Sequence, residues 1–80
     1  MNENKLDEAK TMLEEIITAN QADDTTYYML GNVFRRSNDW QQAINNYTLA
    51  IEINAQSPAV AAREMAISIL NFYNTDMYNH

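Results

Sequence analysis

Residues 27–50, YYMLGNVFRRSNDWQQAINNYTLA, decide the fold of this chain. Tyr27, Leu30 and Phe34 lie three and four residues apart, which places them on one face of a helix. A short polar turn at residues 37–39 separates this helix from a second run with the same helical spacing of apolar residues. The stretch therefore predicts two helices joined by a tight turn, a helical hairpin.

The second helix of this hairpin matches an earlier segment at an offset of 34 residues. Every matched pair is apolar, and two of the pairs are identical residues. The pairs are Leu6 with Trp40, Ala9 with Ala43, Leu13 with Tyr47, Ile16 with Ala50, and Ile17 with Ile51. A fixed period of this length is typical of repeat proteins, in which one unit cannot bury its apolar face alone.

The rest of the chain extends the helical pattern. Gly31 and Pro58 are its only Gly and Pro, and no alternating apolar run suggests a strand, so we expect an all-α protein. Asp23 or Asp24 and the pair Ser57-Pro58 are start signals for helices. We predict one domain, residues 1–80, with helices at about 5–20, 25–36, 40–53 and 58–73 and a tail at 74–80.

Gly31 lies inside a predicted helix, where Gly costs about 1 kcal/mol relative to Ala. Ala43 and Ala50 are small residues on the next helix. We expect that Gly31 admits the close approach of another backbone, with the large rings packed between the two helices.

Composition argues against several functions. The net charge of −6 disfavours nucleic acid and anionic membranes as partners, because both attract basic surfaces. The chain has no Cys, its one His is the last residue, and no Gly-rich phosphate loop is present. We therefore expect no enzyme activity, cofactor or metal. Residues 1–10 are polar and acidic, unlike a secretory leader, and we expect a cytoplasmic protein.

The spacing Tyr27-x2-Leu30-Gly31-x2-Phe34, followed by Ala43-x3-Tyr47 and Ala50, resembles the tetratricopeptide repeat signature. Two positions depart from it: Tyr27 replaces the commoner Trp, and Ala55 replaces the closing Pro. The resemblance implies a short solenoid of about four antiparallel helices, with one whole repeat at 24–57 between two half repeats. It also implies a scaffold role in protein binding.

The last helix differs from the signature in its polar and apolar faces. Glu64 and Ser68 stand where Leu30 and Phe34 stand in the whole repeat, and this polar stripe is typical of a terminal capping helix. A second strip of this helix is apolar, and we expect it to be buried by the tail, by a bound peptide or by a second copy of the chain. The strip consists of Ala62, Ala66, Ile69, Leu70 and Tyr73.

Candidate binding residues follow from the resemblance, which implies that the first helix of each repeat lines a groove. The candidates are Tyr28, Asn32, Arg35, Arg36 and Arg63. Three of the five bases of an acidic chain are in this set, which suggests a partner bearing a carboxylate. Asn32 and Arg63 match two positions of a carboxylate clamp known in the family, but Ala59 replaces its Lys. The alternative is that Asn32 is an ordinary surface residue and that the Arg stems cover apolar surface.

We therefore predict a module that binds a peptide or protein segment in a repeat groove. Two alternatives remain open at this point. The chain could form a homodimer through its two open ends, or it could be the C-terminal cap of a longer repeat protein.

Overall fold

The computed structural model describes the backbone of residues 2–78 and the side chains of residues 5–72. Its four helices are α1 (Asn2–Thr18), α2 (Asp24–Arg36), α3 (Trp40–Ile53) and α4 (Ala59–Tyr78). Helices that are consecutive in the chain pack on each other, and the pair α2 and α3 shares the most extensive contact. The described residues contain no strand, so the all-α repeat fold predicted from the sequence is confirmed. No helix in the described part of the chain is long and apolar enough to cross a membrane.

Side chains at the helix starts satisfy backbone N–H groups that have no partner within the helix. Asp23 accepts the Thr26 backbone N–H at 3.0 Å, and the Thr26 hydroxyl accepts the Asp23 N–H at 3.3 Å, forming a capping box. The hydrogen bond from the Thr26 backbone holds the pKa of the Asp23 carboxyl below its usual value. Asp39 begins α3 in a similar way, and the buried Ser57 Oγ accepts the Ala59 N–H at 3.0 Å before α4.

The core consists of two clusters that meet at Phe34. The first contains the small residues Ala43, Ala50, Ala59 and Ala66 around the fully buried Tyr47 ring. The second joins α1 to α2 and contains Leu13, Leu30 and Val33, with Leu6, Ala9 and Ile17 packed against it. Because Phe34 packs against both clusters, the four helices share one continuous core.

Gly31 is close-packed, but against a side chain rather than the backbone that the sequence led us to expect. A Cβ atom at Gly31 would lie 2.5 Å from both Cδ1 and Cε1 of Tyr47. That separation is well inside van der Waals contact, which begins at about 3.5 Å between carbon atoms. The missing side chain of Gly31 therefore makes room for the Tyr47 ring.

The helix boundaries differ from the sequence prediction at both ends of the chain. Helix α1 begins at Asn2, and α4 continues to Tyr78 through residues that were predicted as the start of a tail. Residues 74–78 contain neither Gly nor Pro, so no local signal ends the helix at 73. Because these residues extend α4, their backbone does not fold back over the apolar strip of the same helix. Residues 79 and 80 lie outside the described part of the chain.

Candidate functional site

The structure brings three of the five predicted binding residues together on α2, beside a ring from α3. We call this group the Tyr28 cluster: Tyr28, Asn32, Arg35 and Tyr47. The Tyr47 hydroxyl donates a short hydrogen bond to Asn32 Oδ1, and the rings of Tyr28 and Tyr47 lie with centroids 6.0 Å apart. Residues 28, 32 and 35 are spaced at four and three, so one face of α2 presents them side by side.

The electrostatics of the Tyr28 cluster depend on the Tyr47 phenol. Burial raises the pKa of this phenol above its ordinary value of 10.0, because a phenolate would lose its hydration inside the core. The Arg35 guanidinium lies close enough to oppose this pKa shift, while the neighbouring Tyr28 adds to it. The phenol therefore stays protonated at neutral pH and keeps its hydrogen bond to Asn32.

Polar groups of the Tyr28 cluster remain available to a ligand. Asn32 accepts through Oδ1, which leaves the two N–H donors of its Nδ2 free, and the side chain is only half-buried. Arg35 is also half-buried, and among residues 5–72 no acid forms an ion pair with it. A guanidinium and an amide N–H₂ on one helix face are suited to bind a carboxylate.

The other two predicted residues, Arg63 and Arg36, have other neighbours. Arg63 is anchored on α3: its Nε donates to Thr48 Oγ1 at 2.8 Å, and Thr48 in turn donates to the Ile44 carbonyl. Its terminal N–H groups make no ion pair with an acid in the described part of the chain. Arg36 lines a separate depression with Leu6, Asp7, Ser37 and Asn38.

The apolar strip predicted on α4 is only partly open. Ala66 is fully buried and Ala62 packs against the first core cluster, so the chain itself covers this part of the strip. Ile69 and Leu70 are half-buried, and the side chain of Tyr73 lies outside the described residues. Met65 and Phe72 on the same helix are 58% and 72% exposed.

Tyr47 is the site residue that sequence reasoning did not include. It was assigned to the core alone, since it occupies an apolar position of the repeat. Its hydroxyl nevertheless reaches Asn32, fifteen residues away along the chain. The hydroxyl group of Tyr47 could have indicated this contact, because a buried Tyr hydroxyl usually finds a hydrogen-bond partner.

Comparisons with known proteins agree with this architecture. A family model described as tetratricopeptide repeat matches residues 24–57, the whole repeat identified from the sequence. The chain is also similar to the solution NMR structure of Bacteroides fragilis protein BF1650, with 47% sequence identity and a TM-score of 0.81. That match covers 98% of this chain and 80% of the other. A search of curated proteins found no match.

The chain belongs to the tetratricopeptide repeat family. Members of this family are in general modules for protein–protein interaction, and this general role applies here.

Proposed function

We propose that the Tyr28 cluster, together with Arg63, binds a peptide segment that carries a carboxylate. The observation that supports this proposal is the pair formed by Arg35 and Asn32. Both present hydrogen-bond donors that no acid of the described residues engages, in a protein whose net charge is −6. A base left without an acid in such a chain is suited to an external anion, since Arg binds carboxylates through two parallel N–H groups.

Tyr28 supplies the apolar part of the proposed contact. Its ring is half-buried against Tyr47, so its position is set before any ligand arrives. Rigid aromatic side chains of this kind are typical anchors in protein interfaces. Arg63 supplies a second cation from α4, held in place by Thr48.

Binding of an acidic peptide to variants tests this proposal. The probe is a labelled peptide of about ten residues, about 33 Å long when extended, with acidic side chains and a free C-terminal carboxylate. We expect Arg35→Ala to weaken binding at least about tenfold, because a hydrogen bond to a charged group contributes about 1.5–3 kcal/mol.

Arg36→Ala is the matched control, since Arg36 is the next residue but lies in the separate depression beside Asp7. It removes the same charge from the protein, and we expect a loss of about twofold or less from long-range attraction alone. Equal losses for the two variants would overturn the proposal, because general charge attraction would then explain the binding.

A homodimer is the second candidate function. It is favoured by the exposure of Met65 on α4, which leaves a large apolar side chain in water. Sedimentation over a range of protein concentration tests it. We expect Met65→Ser to convert a dimer to a monomer if α4 forms the interface, whereas a wild-type protein that stays monomeric excludes this candidate.

A further inference from the structure

A second surface lies at the other end of the molecule, between α1 and α2. We call it the N-terminal groove. It has a volume of about 450 Å³, and its apolar lining consists of Ala9, Met12, Leu13, Ile16 and Met29. Met12 is 64% exposed, Met29 48% and Ile16 36%, so the groove presents large apolar side chains to water.

The internal repeat shows what fills such a groove. A shift of 34 residues takes Ala9, Leu13 and Ile16 of the groove to Ala43, Tyr47 and Ala50, all of which are fully buried. They are buried because helix α2 lies on them, with Tyr27, Tyr28 and Phe34 packed against that cluster. The inner copy of the groove is therefore occupied by a helix, while the outer copy is empty of any described residue.

A second copy of this chain is poorly suited to fill the N-terminal groove. In the inner copy, α2 brings Leu30 and Phe34 to the core, and the equivalent residues of α4 are Glu64 and Ser68. Both are exposed and polar, so α4 of another copy would bring the wrong face. Helix α2 of another copy is already buried in its own core.

Charge indicates the chemistry of a helix that fits the groove. Asp23 lines one end of the groove, and Asp7 and Glu8 border Met12 in an adjoining depression. Among the described residues no base lines the groove. Lys5 lies one helical turn before Ala9 on α1, Arg36 lies in the separate depression beside Asp7, and Lys10 lies over the Phe34 ring. An apolar groove with acids at its margin favours a helix that carries basic residues beside its apolar face.

We propose that the N-terminal groove binds an amphipathic helix of a partner protein, with Lys or Arg flanking its apolar face. The partner helix packs in the groove between α1 and α2. Helix α2 packs in the same way in the inner copy of the groove, between α3 and α4. Its apolar residues follow the spacing of Tyr27, Leu30, Gly31 and Phe34, that is i, i+3, i+4 and i+7. This site is distinct from the Tyr28 cluster and takes a ligand of opposite charge.

The experiment uses a labelled peptide of about 16 residues, about four helical turns, with Tyr, Leu, Ala and Phe at that spacing and Lys at the flanking positions. We expect it to bind the wild-type protein, and we expect Met12→Glu and Met29→Glu each to weaken binding about tenfold or more, because they place a charge in an apolar contact. Fluorescence anisotropy gives the affinities, and circular dichroism verifies that each variant is folded.

Ile53→Glu is the matched control, because Ile53 is an exposed apolar residue at the end of α3, away from the groove lining, and we expect this variant to bind the peptide as the wild type does. A twin peptide with Glu in place of Lys is expected to bind about tenfold more weakly. Three results would each overturn the proposal: no binding to the folded wild type, equal losses for Met12→Glu and Ile53→Glu, or equal affinities for the two peptides. A wild-type dimer that Met12→Glu dissociates would also overturn it, since a second copy would then fill the groove.

The two proposed binding sites can be tested independently of each other. Arg35→Ala removes a cation from the Tyr28 cluster and is expected to leave binding of the basic peptide unchanged. Met12→Glu is expected to leave binding of the acidic peptide unchanged.

Discussion

At the scale of single residues, Gly31 and Tyr47 determine how closely α2 and α3 approach. The Tyr47 ring occupies the volume that a side chain at position 31 would need. The same ring carries a hydroxyl that leaves the core and meets Asn32 on the surface of α2. One residue therefore serves both the packing of the repeat and the placement of the candidate site.

Replacement of Gly31 by Ala tests this packing. Ala is the better helix former, so propensity alone would stabilise the protein by about 1 kcal/mol. We expect the opposite, a destabilisation of about 1–3 kcal/mol, because the new methyl group overlaps a ring that is fully buried and cannot move freely. Urea unfolding followed by circular dichroism gives the free energy of unfolding. Asn45→Ala, at an exposed position of α3, is the control and is expected to stabilise slightly.

The raised pKa of Tyr47 predicts a dependence of stability on pH. Since the folded state holds the proton more tightly than the unfolded chain, the stabilisation is complete below pH 10 and is lost as the pH rises through the folded-state pKa. We expect the free energy of unfolding to fall above pH 10 and to fall less steeply in Tyr47→Phe. Equal slopes in the two proteins would contradict the assignment of the pKa shift to Tyr47.

At the scale of helices, α4 has a polar face and an apolar face. Its start is secured by Ser57, and its outer face carries the exposed residues Glu64, Ser68 and Asn71 in place of apolar ones. Its inner face contributes Ala59 and Ala66 to the core. One face of α4 therefore covers α3, and the stripe of Glu64, Ser68 and Asn71 on the same helix is polar.

Removal of the Ser57 hydroxyl tests the start of α4. We expect Ser57→Ala to reduce the free energy of unfolding by about 1 kcal/mol, because it leaves a buried backbone N–H without its partner. Ser68→Ala is the matched control: this serine lies on the exposed face of the same helix, where Ala is expected to be neutral or slightly stabilising. Equal effects of the two substitutions, measured by urea unfolding, would argue against the cap.

At the scale of the whole molecule, the two outer helices are buried to different extents. Helix α4 contributes the fully buried Ala59 and Ala66 to the core, whereas α1 has one buried side chain among residues 5–18, Leu13, and leaves Met12 exposed. The interior pair, α2 and α3, has helices packed on both sides. Stability is therefore expected to vary along the chain.

Amide hydrogen exchange measures this variation of stability along the chain. We expect the amides of α2 and α3 near Leu30 and Tyr47 to exchange only through global unfolding, and those of α1 to exchange through local opening at a lower free energy. Addition of the basic helical peptide is expected to raise protection in α1 and leave α3 unchanged. Uniform protection over the four helices would contradict this variation.

Local sequence patterns were enough to predict the four helices and their order. The helical spacing of apolar residues and the start signals at Asp23 and Ser57 extend over a few turns of one helix, and the 34-residue period repeats that spacing in the next unit. The end of α4 was missed because no Gly or Pro marks it. The family resemblance and the predicted helix placed Tyr28, Asn32 and Arg35 on α2.

Tertiary structure decided which of those residues work together. The Tyr47 ring fills the space at Gly31 and its hydroxyl reaches Asn32, while Arg63 is tied to Thr48 and Arg36 lies with Asp7. The empty groove at α1 also appears only when the helices are packed, because Met12 and Met29 come together across two helices. The period in the sequence determines the repeat, because each unit has an apolar face that only a neighbouring unit can bury. The site and the unfilled groove depend on contacts between residues far apart in the chain, which no local pattern encodes.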